Sequence, residues 1–210
     1  MAATIITPPQ PIISAADAKA WAPVLAEDAE ARIEALLAVA QAGIEPPLGW
    51  VGRAFGVQTL EVVFDRFRDP CLFLPYPPLR KVISVTYEGA DGEQQEIAAA
   101  DLRVLGLGTT TGSIAPKGSA SWPAAARGPE AVRVRFEAGY DADDLRLAPA
   151  RQAVVLAATH LRSLGSQDLA LRSDEVEGIG TKTWTVSDVA QKLIQTTVDS
   201  LLAPYKVWAL

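Results

Sequence analysis

The sequence is poor in the residues that staple, ligate or titrate: among 210 residues there is one cysteine, one histidine and one methionine. Cys71 alone cannot close an internal disulfide, which excludes a disulfide-framed secreted scaffold and fits a reducing compartment. His160 has no second histidine beside it, so the usual zinc ligand sets cannot be assembled. It sits at helical spacing in Ala157–Leu161 and reads as a packed or hydrogen-bonded side chain. Long apolar runs are also missing. The longest, around Ala153–Ala158, is far too short to cross a bilayer, so no membrane partner is expected. No Lys or Arg precedes Lys19, so neither a secretory leader nor a transit peptide is expected, and synthesis in the cytoplasm is the default.

Positive charge is in the minority, with 19 Lys and Arg against 25 Asp and Glu, a net charge of -6. Such a surface repels a phosphate backbone and argues against tight nucleic-acid binding. The catalytic motifs fail one by one. Gly106–Gly112 is rich in glycine but lacks the Gly-Lys-Ser/Thr of a phosphate loop, and a strand pattern follows it instead of a helix. Asp141, Asp143 and Asp144 have the spacing of a calcium loop, yet its sixth and twelfth positions are Arg146 and Gln152. Asp174, Glu175 and Glu177 lie in a Gly-rich stretch with no apolar pocket to raise a carboxyl pKa. There is no Gly-x-Ser-x-Gly. No catalytic, cofactor-binding or metal-ligating residue is assigned, and no cofactor is expected.

Apolar residues are plentiful, at 49 % against 21 % charged, and a chain of this length can bury about 70 % of its surface. Residues 1–13, with Pro8, Pro9 and Pro11, read as an extended arm. Residues 14–50 read as helical. Ser14-Ala15-Ala16-Asp17 has the form of a capping box, a short helix stops before Pro23, and a second starts near Glu27 with Ile33, Leu36, Leu37, Ala40 and Ile44 on one face. From 51 to 140 the period changes to two. Strand candidates are Thr59–Asp65, Cys71–Leu74, Lys81–Tyr87, Gln95–Ile97, Leu102–Leu105, Gly112–Ala115 and Ala131–Phe136, with turn residues between. Arg133 and Arg135 share one strand face, and Arg66 and Arg68 flank Phe67. Either pair is a solvated face or a docking site for nucleic acid or an acidic protein partner. Residues 141–203 return to helical spacing, with a loop or hairpin at about 171–185. Val189, Leu193, Ile194, Thr197, Leu201 and Leu202 line the last helix. The expected fold is α+β: a small helical bundle from N- and C-terminal helices, with an inserted antiparallel β region that is sandwich- or barrel-like. The tail 204–210 carries Tyr205, Val207, Trp208 and Leu210 beyond the helix stop at Pro204. It reads either as docked on the chain's own body or as a contact site for another molecule.

Five segments in order resemble the head–tail connector (adaptor) family of phages and gene transfer agents. They are the helix opening at Pro11–Ala20, Gly52–Phe67, Leu74–Glu93, Trp122-Pro123 with Val132–Tyr140, and Ser200–Val207. Leu60 departs from that family's pattern, where an aromatic is usual, as do the Pro46–Trp50 loop and Pro23. The resemblance implies a structural virion protein of the neck. It implies a ring, typically a dodecamer, beneath a portal protein and above a stopper or tail-completion protein, with DNA passing through without sequence-specific binding. It places the portal-binding segment at Pro204, Tyr205, Lys206, Val207, Trp208 and Leu210. Asp174, Glu175, Glu177, Lys182 and Trp184 are the candidate contact with a neighbouring subunit or the next ring. The rival readings are a stopper of the same neck, and a small β-sheet-based ligand-binding module or enzyme.

Overall fold

The computed structural model describes residues 2–68, 70–126, 128–166, 173–176, 180–183 and 188–207. The chain divides into two units. A β unit holds Met1–Ile12, Ile44–Leu147 and Tyr205–Leu210, and a helical unit holds Ile13–Gly43 and Ala148–Pro204. The fold is α+β, with antiparallel sheets and four helices among the described residues.

In the β unit, β1 (Ala2–Thr7), β2 (Gln58–Phe64), β4 (Leu79–Glu88), β5 (Gln94–Ile97) and β8 (Val132–Ala138) form a sheet in the order β1-β2-β8-β4-β5. A second sheet has the order β3-β7-β6, from β3 (Leu72–Leu74), β6 (Leu102–Leu105) and β7 (Gly112–Pro116). The alternation in β2 and β8 decides the packing. Leu60, Val62 and Phe64 lie opposite Phe136, Val134 and Val132, and all six are buried. Leu72 and Leu74 of β3, Leu102 of β6 and Ile114 of β7 join the same core, so the two sheets form a sandwich. Each such side chain withdrawn from water contributes about 1.5–3 kcal/mol before entropy is counted.

The N-terminal arm is more than an arm. Ala2 to Ile5 pair antiparallel with Val63 to Leu60, and Thr7 pairs with Thr59 after a shift in register. The prolines fall past the strand's end, so they remove no donor from the ladder. The Gln10 amide still donates to the Val57 carbonyl at 2.9 Å.

In the helical unit, α1 (Ala15–Trp21) begins at Ser14, whose hydroxyl oxygen accepts from the Asp17 amide at 3.1 Å. A single 3-10 turn follows at Pro23–Leu25. Helix α2 (Glu30–Ala42) packs on α3 (Ala148–Ser166), and α3 on α4 (Asp188–Leu202). Three expectations need correction here. Helix α2 starts at Glu30, because Ala29 is extended at its N-cap with ψ 142°, and Asp28 before it is engaged by Arg32, at 3.3 Å, and by Arg162. It ends at Ala42, so Ile44 belongs to the β unit. Among the described side chains of α4, Val198 and Leu202 are buried and Ile194 and Leu201 half-buried, while Leu193 is 66 % exposed and Thr197 is exposed, so Leu193 and Thr197 leave the expected face and Val198 joins it. Between α3 and α4, β9 (Ser173–Val176) and β10 (Gly180–Thr183) pair antiparallel.

Candidate functional site

The stretch between Glu34 and Glu61 holds only two charged residues, Glu45 and Arg53, and both are buried. Each organises a part of the β unit. The Glu45 carboxylate accepts from the Phe55 amide at 2.9 Å, the Gly56 amide at 2.6 Å and the Gln58 side-chain amide at 2.8 Å. It thereby fixes the run that leads into β2, and three donors replace the water the anion loses.

Arg53 holds the root of the C-terminal tail. Its Nε donates to the Tyr205 carbonyl at 2.8 Å and its Nη1 to the Tyr140 hydroxyl at 2.9 Å. The Tyr205 ring stands edge-on to Phe55 with centroids 5.2 Å apart, and its hydroxyl donates to the Arg146 carbonyl. The Arg146 guanidinium lies 5.0 Å over the Tyr140 ring. Two residues on, the Val207 amide donates to the Val51 carbonyl at 2.9 Å, and the Lys206 ammonium sits 5.9 Å over Trp50.

The tail residues therefore divide. Pro204 is exposed, Tyr205, Lys206 and Val207 are half-buried on the β unit, and Trp208 and Leu210 lie outside the described residues. Of the two readings of the tail, Tyr205 to Val207 take the first: they dock half-buried on the chain's own β unit. Sequence reasoning missed Arg53, Glu45 and Tyr140. The signal available was two charges isolated in an otherwise uncharged stretch.

Of the contact-loop candidates, Asp174 and Glu175 stand on β9 and Lys182 on β10, where Lys182 is the register partner of Asp174. Glu177 and Trp184 lie outside the described residues.

The arginine face expected on β8 is not an open one. Glu61 of β2 lies opposite it and binds Arg135 at 2.8 Å and Arg133 at 3.6 Å, and Glu130 adds a second carboxylate to Arg133 at 3.1 Å. At the end of that face, Arg80 reaches Glu137 at 3.0 Å and Asp141 at 2.8 Å, and Lys81 reaches Glu137 at 3.0 Å. Burial pushes the Glu137 carboxyl up, but hydrogen bonds from Lys81 and Arg80 outweigh it and hold the group below its usual range. The hydrogen bond from Arg80 likewise lowers Asp141, and that bond raises Arg80 itself. Asp144 is taken by Arg146 at 2.7 Å. Of the three aspartates after Gly139, Asp141 and Asp144 thus serve ion pairs.

Arg66 and Arg68 flank an open cleft of about 1220 Å³, also lined by Phe67, Trp122, Asp65 and Glu130. Phe67 stacks on Trp122 with centroids 4.6 Å apart and planes 5° apart, and the Trp122 indole donates to the Arg68 carbonyl at 3.1 Å. The rings spend their faces on each other. Asp65 accepts from the Glu130 amide at 3.1 Å. His160 is half-buried on α3. Among the described residues no three His, Cys, Asp or Glu converge as metal ligands, and no helix is long and apolar enough to cross a membrane.

No family model matches the sequence, and no curated protein matches it. Solved structures do. The chain is similar to a chain in the neck of an empty gene transfer agent particle with C6 symmetry, at TM-score 0.65 and 19 % identity, covering 100 % of this chain and 97 % of that one. It is similar to one in the virion of the native gene transfer agent particle, at TM-score 0.63, 20 % identity and the same coverage. A third likeness is to a chain in the neck of the native particle with C12 symmetry, at TM-score 0.61, 18 % identity and again 100 % and 97 % coverage. At this identity the likeness is one of fold, and it runs the length of both chains.

Proposed function

We propose that this chain is a structural neck protein of a tailed, DNA-carrying particle. In this reading it is a head–tail adaptor that forms a ring beneath the portal protein and joins it to a stopper or tail-completion protein. The observation that carries the reading is the end-to-end likeness of fold to neck chains of gene transfer agent particles. A cyclic ring needs two different surfaces per chain that meet and close. A net charge of -6 suits a channel through which DNA passes, since few phosphates would be neutralised. The chain then works by binding, without catalysis of its own. Its portal-binding segment is the tail, narrowed to its last residues, because Tyr205 to Val207 are occupied on the β unit. Asp174, Glu175, Glu177, Lys182 and Trp184 are the proposed contact with the neighbouring subunit or the next ring.

The test is mass spectrometry of gradient-purified particles from the producing cells, with copies scaled to portal protein. Near-equal copies of this chain and portal are expected. Absence from intact tailed particles would reject the reading and bring forward a ligand-binding module at the open cleft. Retention on the tail side, with no binding to isolated portal, would move the chain one ring down to a stopper. Removing Trp208–Leu210 should leave the unfolding transition in place and abolish portal attachment.

A further inference from the structure

We infer that Arg53 is the positioning residue of the C-terminal segment: it clamps the root of the tail to the β unit and so sets where Trp208–Leu210 leave the surface. The inference rests on the tail reading above. Arg53 is only 6 % exposed, yet both its hydrogen bonds go to neutral oxygens, the Tyr205 carbonyl and the Tyr140 hydroxyl. Among the described residues it has no carboxylate partner. A buried guanidinium without an ion pair is costly to keep for stability alone. Its rigid fork can instead hold two acceptors at once, the Tyr205 carbonyl and the Tyr140 hydroxyl, in a fixed planar geometry that the rotatable ammonium of a lysine does not impose.

The surrounding contacts have the same sense. The ring, hydroxyl and carbonyl of Tyr205 are each engaged by a different residue, Phe55, Arg146 and Arg53. The Val207 amide continues the attachment on Val51. Fixed at so many points, Tyr205 to Val207 give the tail a defined point of departure. Pre-organisation of this kind lowers the ordering cost a partner would otherwise meet.

The test separates positioning from mere support of the fold. R53M is expected to weaken attachment to isolated portal rings at least tenfold, to speed amide exchange at Val207 by a similar factor, and to keep a cooperative unfolding transition. R53K should fall between. Rescue supplies the decisive arm. A Cβ built on Gly52 lies 3.6 Å from the Val207 Cβ, within the about 3.5–4.5 Å that a disulfide needs, and because Gly52 has φ +68° the same cysteine pair in the Arg53 chain controls for the strain of a side chain there. In a C71S background, adding G52C and V207C to R53M should restore attachment when oxidised and lose it again on reduction. Equal attachment by R53M and the wild-type chain would overturn the clamp alone. So would a formed disulfide that restores nothing. Failure of the wild-type chain to attach to portal at all would overturn the tail reading and this inference with it.

Discussion

Glu45 and Gln58 share a 2.8 Å hydrogen bond although they stand thirteen positions apart, and each is almost sealed from water, at 2 % and 1 % exposure. The same carboxylate takes the Phe55 and Gly56 amides. Replacing it leaves the Phe55 and Gly56 amides without an acceptor and the Gln58 amide with only its 3.4 Å bond to the Gly56 carbonyl. We expect Glu45→Ala to cost about 3–5 kcal/mol, at about 1–3 kcal/mol for each buried donor left unsatisfied. Glu45→Gln keeps the shape but points an amide at donors, and should cost about 2 kcal/mol. Urea unfolding of the three chains measures both.

Acid should loosen the sheet at its Arg80 corner. Glu137 and Asp141 have lowered pKa values in the folded chain. The unfolded chain then takes up protons first as pH falls. The contribution of these groups is therefore complete above the ordinary carboxylate range, about pH 4, and is lost as pH falls through the lowered values. Arg80→Met removes a partner of both, so its stability should fall less steeply with acid below about pH 4. At pH 7 the loss should be small, since water screens these partly exposed pairs. Thermal unfolding from pH 2 to 7 would show the two limbs; parallel curves for the two chains would refute the assignment.

Gly139 has φ +119°, and a Cβ there would stand 2.3 Å from the Gly56 carbonyl oxygen. That oxygen is backbone and cannot step aside alone. Gly139→Ala should destabilise by about 3 kcal/mol or more, combining strain with displacement of the run that Glu45 holds. Chemical denaturation reads the loss.

Trp122 contributes through its stack on Phe67 and its bond to Arg68. Trp122→Phe keeps the stack and should cost about 1 kcal/mol for the lost hydrogen bond. Trp122→Ala should cost about 3 kcal/mol, and the difference from the Phe variant reports the ring contact. Equal losses would mean that the stack adds nothing.

The sandwich was legible because its strands alternate: Leu60, Val62, Phe64 and Val132, Val134, Phe136 face one core, and period two reads that directly. Strand β1 was not legible. Ala2–Thr7 has no polar alternation, and its pairing partner lies more than fifty residues away in β2. The start of α2 was misplaced because Glu27 and Asp28 resemble a first-turn acidic cluster. Asp28 is spent instead on Arg32 and Arg162, the latter a long-range partner no local pattern announces. The tail root failed for the same reason. Arg53 and Tyr205 are joined across 152 positions, and only the folded sheet brings their atoms together.

The β unit is assembled from three separate stretches of chain, and the helical unit from the two stretches between them. The helical halves are thus separated by roughly a hundred residues that must be looped out before α2 can meet α3, at an entropic cost that grows with the logarithm of that length. Once the sandwich has formed, Ile44 and Leu147 are no longer ends of a random loop. Most of that cost has then been met by contacts inside the sheets. The sandwich should therefore act as the folding template for the helices. A destabilised sheet variant would lose helical signal in the same transition, although none of its substitutions touches a helix.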